Sequence, residues 1–381
     1  MTLDRRAFLG RTGRTVLGGA AAALLGDLAL PAHLLPRAGA ATWRKRLTGA
    51  DLDTFHRWRV AGTDLGIPYV LENGSVGYLF GDTYDSPFPE GPALPNDWLS
   101  PVLLRSASHP VSADGIVFDG AAGVAPGADG RTPELFANGH YGPGIDGVHE
   151  VTVIPNDGIA FPETGEHVVS YMSMRSWDAA GPLLAQFASG YAGLAWSADG
   201  EVFTRTPLKW WNDDANTDPF QMWTMQRFED FVYVYSVRSG RQRGPMLLRR
   251  VPWDRMLEPE AYEGYGWDGV DWGWGRPCSP ILEGWFGEPS VRRLDDGTWV
   301  MAYLNPAIGC IVTRTAPGPD QAWSDEQVQV GFWQEPGVYG GFVHPWSTRE
   351  PGGLHLLVSK WSRGASGEST AYHVSQYTGT V

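Results

Sequence analysis

The sequence predicts an all-β fold, a five-bladed β-propeller. The chain is rich in Gly (49), Pro (29) and Trp (18) across 381 residues, a many-turned composition. Short alternating or apolar runs recur on either side of Gly-containing turns, and no long helical periodicity appears. These runs fall into five sheet-like groups, the pattern of radial repetition.

The first group is Thr63–Leu71, a turn at Asn73-Gly74, then Val76–Phe80. The second pairs Glu150–Ile154 with His167–Met174 and continues through Leu194–Trp196, the turn Asp199-Gly200 and Val202–Thr204. The third is Phe220–Gln226, Phe231–Val237 and Met246–Val251. The fourth is Pro289–Leu294, the turn Asp296-Gly297, Trp299–Leu304 and Ile311–Arg314. The fifth is Gly341–Pro345, Leu354–Lys360 and Ala371–Tyr377. Asn-Gly and Asp-Gly reach the positive φ that tight hairpins require. Uneven spacing leaves four or six blades, or a pair of β-sandwiches, as competing architectures. A ring must close, and Phe55–Ala61 is expected to pair with the last strand near Tyr372–Tyr377. The loops Pro87–Asn96, Gly120–Thr132 and Glu258–Gly275 are Gly/Pro-rich surface segments.

Charge and cysteine content narrow the function classes. With 29 Lys+Arg against 43 Asp+Glu, the net charge of -14 argues against nucleic acid, whose binding rests on cations neutralising phosphates. Two cysteines exclude a disulfide-stapled scaffold and a CxxC zinc site. Cys278 and Cys310 are either a pair formed after export or two separate thiols. The nine His form no HExxH or HxH cluster, so no catalytic metal and no cofactor is expected. A structural Ca²⁺ in the channel is compatible with the abundant carboxylates and carbonyls.

The N-terminus reads as a targeting segment. Asp4-Arg5-Arg6-Ala7-Phe8-Leu9-Gly10 resembles the twin-arginine export motif. A mildly apolar stretch follows, ending in Arg37-Ala38-Gly39-Ala40, with cleavage expected before Ala41. Residues 1–40 are thus a signal peptide and 41–381 a single propeller domain. The mature chain keeps 24 positive and 41 negative side chains. A secreted monomer without stable membrane insertion is expected; an uncleaved anchor is the alternative.

Chemistry concentrates in Gly62-Thr63-Asp64-Leu65-Gly66 and Phe80-Gly81-Asp82-Thr83. Asp64 enters the first strand of a hairpin and Asp82 leaves the second. With a two-residue turn at Asn73-Gly74, Asp64 faces Thr83. With a three-residue turn centred on Asn73, it faces Asp82. Opposed Cβ atoms lie about 5 Å apart. Two carboxylates are the minimum set for glycoside hydrolysis: one donates a proton to the leaving oxygen, the other activates water or attacks carbon. The bland alternative is two strand-end residues bonding backbone amides.

These motifs are similar to the opening of a bacterial family once catalogued as a domain of unknown function and now associated with endo-D-arabinanases. The likeness extends to Glu150-Val151-Thr152-Val153-Ile154-Pro155, His167–Trp177 and Phe286-Gly287-Glu288-Pro289-Ser290-Val291. The resemblance implies a five-bladed propeller that cleaves internal α-D-arabinofuranosyl linkages in the D-arabinan of arabinogalactan and lipoarabinomannan. It implies inversion by two aspartates, which by motif fall on Asp64 and Asp82; of these we take Asp64 as base and Asp82 as acid. Further candidates for substrate binding begin later strand groups: His149, Glu150, Gln221, Trp223, Glu288 and Tyr339. Glu288 is also a rival catalytic acid. Trp274, in the Trp-rich Gly264–Gly275 stretch, is a candidate sugar-stacking residue. Ser197-Ala198-Asp199-Gly200 resembles the Asp-box hairpin and is read as a fold marker only. A non-catalytic carbohydrate-binding propeller, and a glycosidase for L-arabinan or fructan, are the rival functions.

Overall fold

The computed structural model describes residues 40–86, 98–145, 147–177, 186–363 and 369–381. The expected signal peptide, apart from Ala40, and the Pro87–Asn96 loop lie outside them. Five antiparallel sheets follow one another in chain order, and they form a five-bladed β-propeller. The innermost strands are Leu65–Val70 (blade I), Thr152–Phe161 (II), Met222–Phe228 (III), Ser290–Arg293 (IV) and Val338–Val343 (V). Each packs on the next, and the fifth packs back on the first.

The expected hairpins form where their turn residues permit. Gly74, Gly200 and Gly297 all take positive φ at the tips. The Asp-box hairpin of blade II holds itself: Asp199 accepts the backbone amides of Glu201 and Val202. Cys278 and Cys310 are both free thiols.

Ring closure differs from expectation. The strand that completes blade V is Thr42–Arg46, which pairs with Ser369–Gly379. Phe55–Ala61 does not pair there; most of it lies in the short helix Asp53–Trp58, ended by Arg59 in the left-handed region. Its alternation of ring and basic residues serves a different purpose. Trp58 is fully buried, while Arg57 and Arg59 lie over the rings of Trp58 and Phe55.

Apolar residues fill the spaces between blades. Tyr78, Phe80, Val102 and Leu104 of blade I pack with Leu357 and Val374 of blade V and with Phe118 and Trp58. Trp223, Met225 and Val234 of blade III pack with Ile159, Ala192 and Leu194 of blade II. Each such fully buried large side chain contributes about 1.5–3 kcal/mol.

The inner strands are also tied by one buried ion pair. Arg292 (blade IV) donates to Asp157 (blade II) at 2.7 and 2.9 Å and to the Pro68 carbonyl (blade I) at 2.6 Å. Asp157 also accepts the Thr224 hydroxyl and the Met225 amide of blade III, both at 2.8 Å. Four blades therefore meet at one guanidinium–carboxylate fork. Among the described residues, no group of three or more His, Cys, Asp or Glu side chains is placed to hold a metal ion. No helix among the described residues is long and apolar enough to cross a membrane.

Candidate active site

The blade I hairpin starts in the three-residue-turn register, with Val70 opposite Val76 and Ile67 opposite Leu79. That register alone would set Asp64 against Asp82. A bulge at Leu65–Gly66 intervenes, so Leu65 pairs with Phe80 and the Gly81 amide meets the Asp64 carbonyl. Beyond the two aspartates the original register returns, with Gly62 opposite Tyr84. Each strand has therefore gained one residue: Gly66 on the first, Asp82 on the second. Gly66 (φ 72°) and Leu65 (φ 65°) both take left-handed backbone to make the bulge.

Asp64 is partly exposed, but its Oδ1 is shut off from solvent and takes no hydrogen bond from the described residues. That oxygen lies against Gly81, where a Cβ would come within 2.5 Å of it. Oδ2 accepts the Tyr339 hydroxyl at 2.8 Å. Burial, and next the charge of Asp82, push the Asp64 carboxyl up from its ordinary 3.8 to about 7. The Tyr339 and Tyr372 hydroxyls and the Arg241 charge oppose that rise. Burial, and then the Asp64 charge, hold both phenols well above their usual range, so both stay protonated as donors.

Asp82 is held differently. Its Oδ1 accepts the Trp98 indole N–H at 2.9 Å and the Thr152 hydroxyl at 3.3 Å. Asn138 in turn donates to the Thr152 hydroxyl oxygen at 3.1 Å. An indole N–H only donates, so this Asp82 oxygen is kept as an acceptor. Trp98 is braced edge-on by His140, with ring centroids 4.7 Å apart, and by Tyr141 at 5.7 Å. His140 also binds Glu134. Behind the pair, the Thr63 and Thr83 hydroxyls bond at 2.6 Å.

Beyond Tyr339 lies a second pair. Arg241 stands over the Tyr339 ring at 4.8 Å and grips Glu288 through Nε at 3.0 and 3.1 Å and Nη2 at 2.5 Å. Non-glycine residues with left-handed backbone gather around this centre: Leu65 (65°), His140 (45°), Tyr141 (63°) and Arg241 (55°). Such conformations cost of order 1–3 kcal/mol each and concentrate where geometry is imposed for function.

The structure brings Asp64, Asp82, Tyr339 and, through Arg241, Glu288 together. It does not bring the other candidates to them. Glu150 is buried and committed: it takes Arg205 at 2.8 and 2.9 Å, the Ser173 hydroxyl at 2.6 Å and the Gly139 amide at 2.8 Å. His149, beside it, is exposed. The Gln221 side chain is buried against Ser189, Asp218 and the Trp210 carbonyl. Trp223 is core, packed on Phe220 and Trp210. Trp274 sits in the outermost strands of blade III, Glu263–Trp267 and Trp272–Trp274, against Tyr265, Tyr233 and Arg250. The Gly264–Gly275 stretch, expected as a loop, is thus a hairpin at the outer edge of the blade III sheet. Trp98, Tyr372, Thr152 and Arg241 were not singled out from sequence. Thr152 alone lay inside a quoted motif.

The fold and site define a five-bladed propeller carrying a carboxylate pair at the start of its first blade. Residues 49–378 match the family described as Domain of unknown function (DUF4185), and the chain belongs to that family. Notoamide biosynthesis cluster protein J' of Aspergillus versicolor is 53% identical over 344 residues, covering 89% of this chain and 92% of that protein. A solved Bacteroides ovatus protein superposes with a TM-score of 0.54 at 14% identity, covering 85% of this chain and 87% of its own. A family 117 glycoside hydrolase from Zobellia galactanivorans gives 0.51 at 12% identity, with 90% of each chain covered. At such identities these two structures speak for the fold alone.

Proposed function

We propose that the protein is an exported glycoside hydrolase that cleaves internal α-D-arabinofuranosyl linkages in D-arabinan. The observation that carries this reading is the Asp64–Asp82 pair, in which burial raises one carboxyl and the other accepts an indole N–H. Unlike surroundings of this kind suit an acid and a base. Asp64, raised to about 7, is the proton donor. Asp82, holding an indole N–H, is the acceptor. These roles reverse those expected from the sequence. As Asp64 protonates the glycosidic oxygen, the C1–O bond breaks. Asp82 takes a proton from water as that water bonds to C1, and the configuration inverts.

Endo cleavage and the D-arabinan substrate rest on the motif resemblance. Product analysis by mass, with purified D-arabinan and the mature chain, tests both. A ladder of arabino-oligosaccharides is expected, lost in Asp64→Asn and Asp82→Asn. Undiminished turnover in both variants would remove the assignment.

A second reading is favoured by the 53% identical relative, which carries the name of a biosynthesis cluster and aligns over nearly the whole chain. In it, the same acid–base pair acts on a small molecule rather than a polymer. Inert arabinan, with both aspartates required for converting a low-molecular-weight glycoside, would select it.

A further inference from the structure

We propose that Arg241 and Glu288 form a positioning pair that sets the proton affinity of Asp64 through Tyr339, without touching the reacting atoms. The proposal rests on Asp64 as the proton donor and deepens that reading. It assigns a purpose to Glu288 that differs from that of a rival acid.

The geometry spans three blades. Arg241 lies in the connection between Phe231–Val237 and Arg243–Pro252 of blade III. Its left-handed backbone (φ 55°) is an uncommon state for a residue with a Cβ. Glu288 precedes the inner strand of blade IV and is buried, so its fork with Arg241 is shielded from water. Gln186 takes the remaining Nη1 at 3.0 Å, and the Phe187 ring lies 5.4 Å from the guanidinium. Tyr339, on the inner strand of blade V, has Arg241 against its ring and Asp64 on its hydroxyl.

Among the described residues, four groups act most strongly on Asp64. Asp82 is on its own blade, Tyr339 and Tyr372 come from blade V, and Arg241 from blade III. Tyr84 stands behind Tyr372, with ring centroids 6.1 Å apart. Arg241 is the cation among them, and Glu288 is the anion that offsets it. A neighbouring cation favours the ionised carboxyl, and neutralising that cation lessens the effect. The two members of the pair therefore act on Asp64 in opposite directions, which a packing role would not produce.

The test follows the Asp64 carboxyl carbon by ¹³C NMR in the full chain labelled at aspartate Cγ, assigned by its loss in Asp64→Asn. Glu288→Gln leaves the Arg241 charge without its partner, and the midpoint should fall by about one pH unit. Arg241→Gln should raise it by a similar amount, Tyr339→Phe should also raise it, and Arg241→Lys should hold it near wild type. The alkaline limb of the turnover profile should move with each midpoint, because the donor works only while protonated. Unmoved midpoints in Glu288→Gln and Arg241→Gln, or movement in the same direction, would overturn the proposal. If Arg241→Gln does not fold, the near-isosteric Glu288→Gln and the charge-preserving Arg241→Lys decide it. Opposite shifts without hydrolysis of any glycoside would support the tuning and remove only the catalytic reading.

Discussion

Replacing Asp64 by Asn should abolish turnover and, above pH 7, make the protein more stable. The folded chain holds the Asp64 proton up to about pH 7, whereas an unfolded chain releases it near 3.8. Between those values the folded state binds more protons than the unfolded state, so stability falls as pH rises and levels off above about 7. At about 1.4 kcal/mol per pH unit, the full window is worth roughly 4 kcal/mol. Asn carries no charge and can still accept the Tyr339 hydroxyl. The extra strength of that bond to a charged carboxylate is already contained in the Asp64 proton affinity. Near pH 8 the Asn variant should therefore exceed wild type by roughly 4 kcal/mol, and near pH 4 the two should converge. Urea unfolding of both proteins across this range measures the difference directly. A difference that does not vary with pH, or a variant less stable than wild type at pH 8, would refute the electrostatic account of Asp64.

Gly81→Ala places a methyl group 2.5 Å from Asp64 Oδ1. Displacing that carboxyl should lower kcat by about 100-fold with KM little changed, as steady-state kinetics would report. Trp98→Phe keeps a ring beside His140 but deletes the N–H on Asp82. At about 1.5–3 kcal/mol for a bond to a charged group, kcat should fall between 10- and 100-fold. Arg292→Met strands the buried Asp157 carboxylate. It should cost about 3–5 kcal/mol in urea unfolding, whether or not substrate is present.

Much of the fold could be read from turn chemistry. Asn73-Gly74, Asp199-Gly200 and Asp296-Gly297 each mark a hairpin tip that the structure contains. The closing strand was hidden because Thr42–Arg46 directly follows the expected cleavage point and has five residues, too few to show a period. Phe55–Ala61 misled because alternating rings and arginines suit a strand as well as they suit a helix with cation–π contacts. Within the site, Asp64 and Asp82 were legible from their motifs, but their offset was not. The bulge depends on Leu65 accepting positive φ, which Leu by itself does not signal. Tyr339 was found because it opens an inner strand. Arg241 and Tyr372 reach Asp64 from connections and strands remote in sequence, and no local pattern announces that. Trp274 was misplaced because blade III carries extra outer strands, which moves a Trp-rich stretch away from the channel.

Blade V is stitched from both ends of the chain, with Thr42 set against Thr378. During synthesis that last strand is made after the four preceding blades, and until then the opening strand lacks its partner in the sheet. Assembly must therefore finish on a contact of very long loop length, the slowest kind to find. Should the opening strand be trimmed away, Ser369–Gly379 would present a bare edge able to recruit the same strand from another molecule. Reciprocal exchange of that strand would yield interlocked dimers, each ring completed by its neighbour.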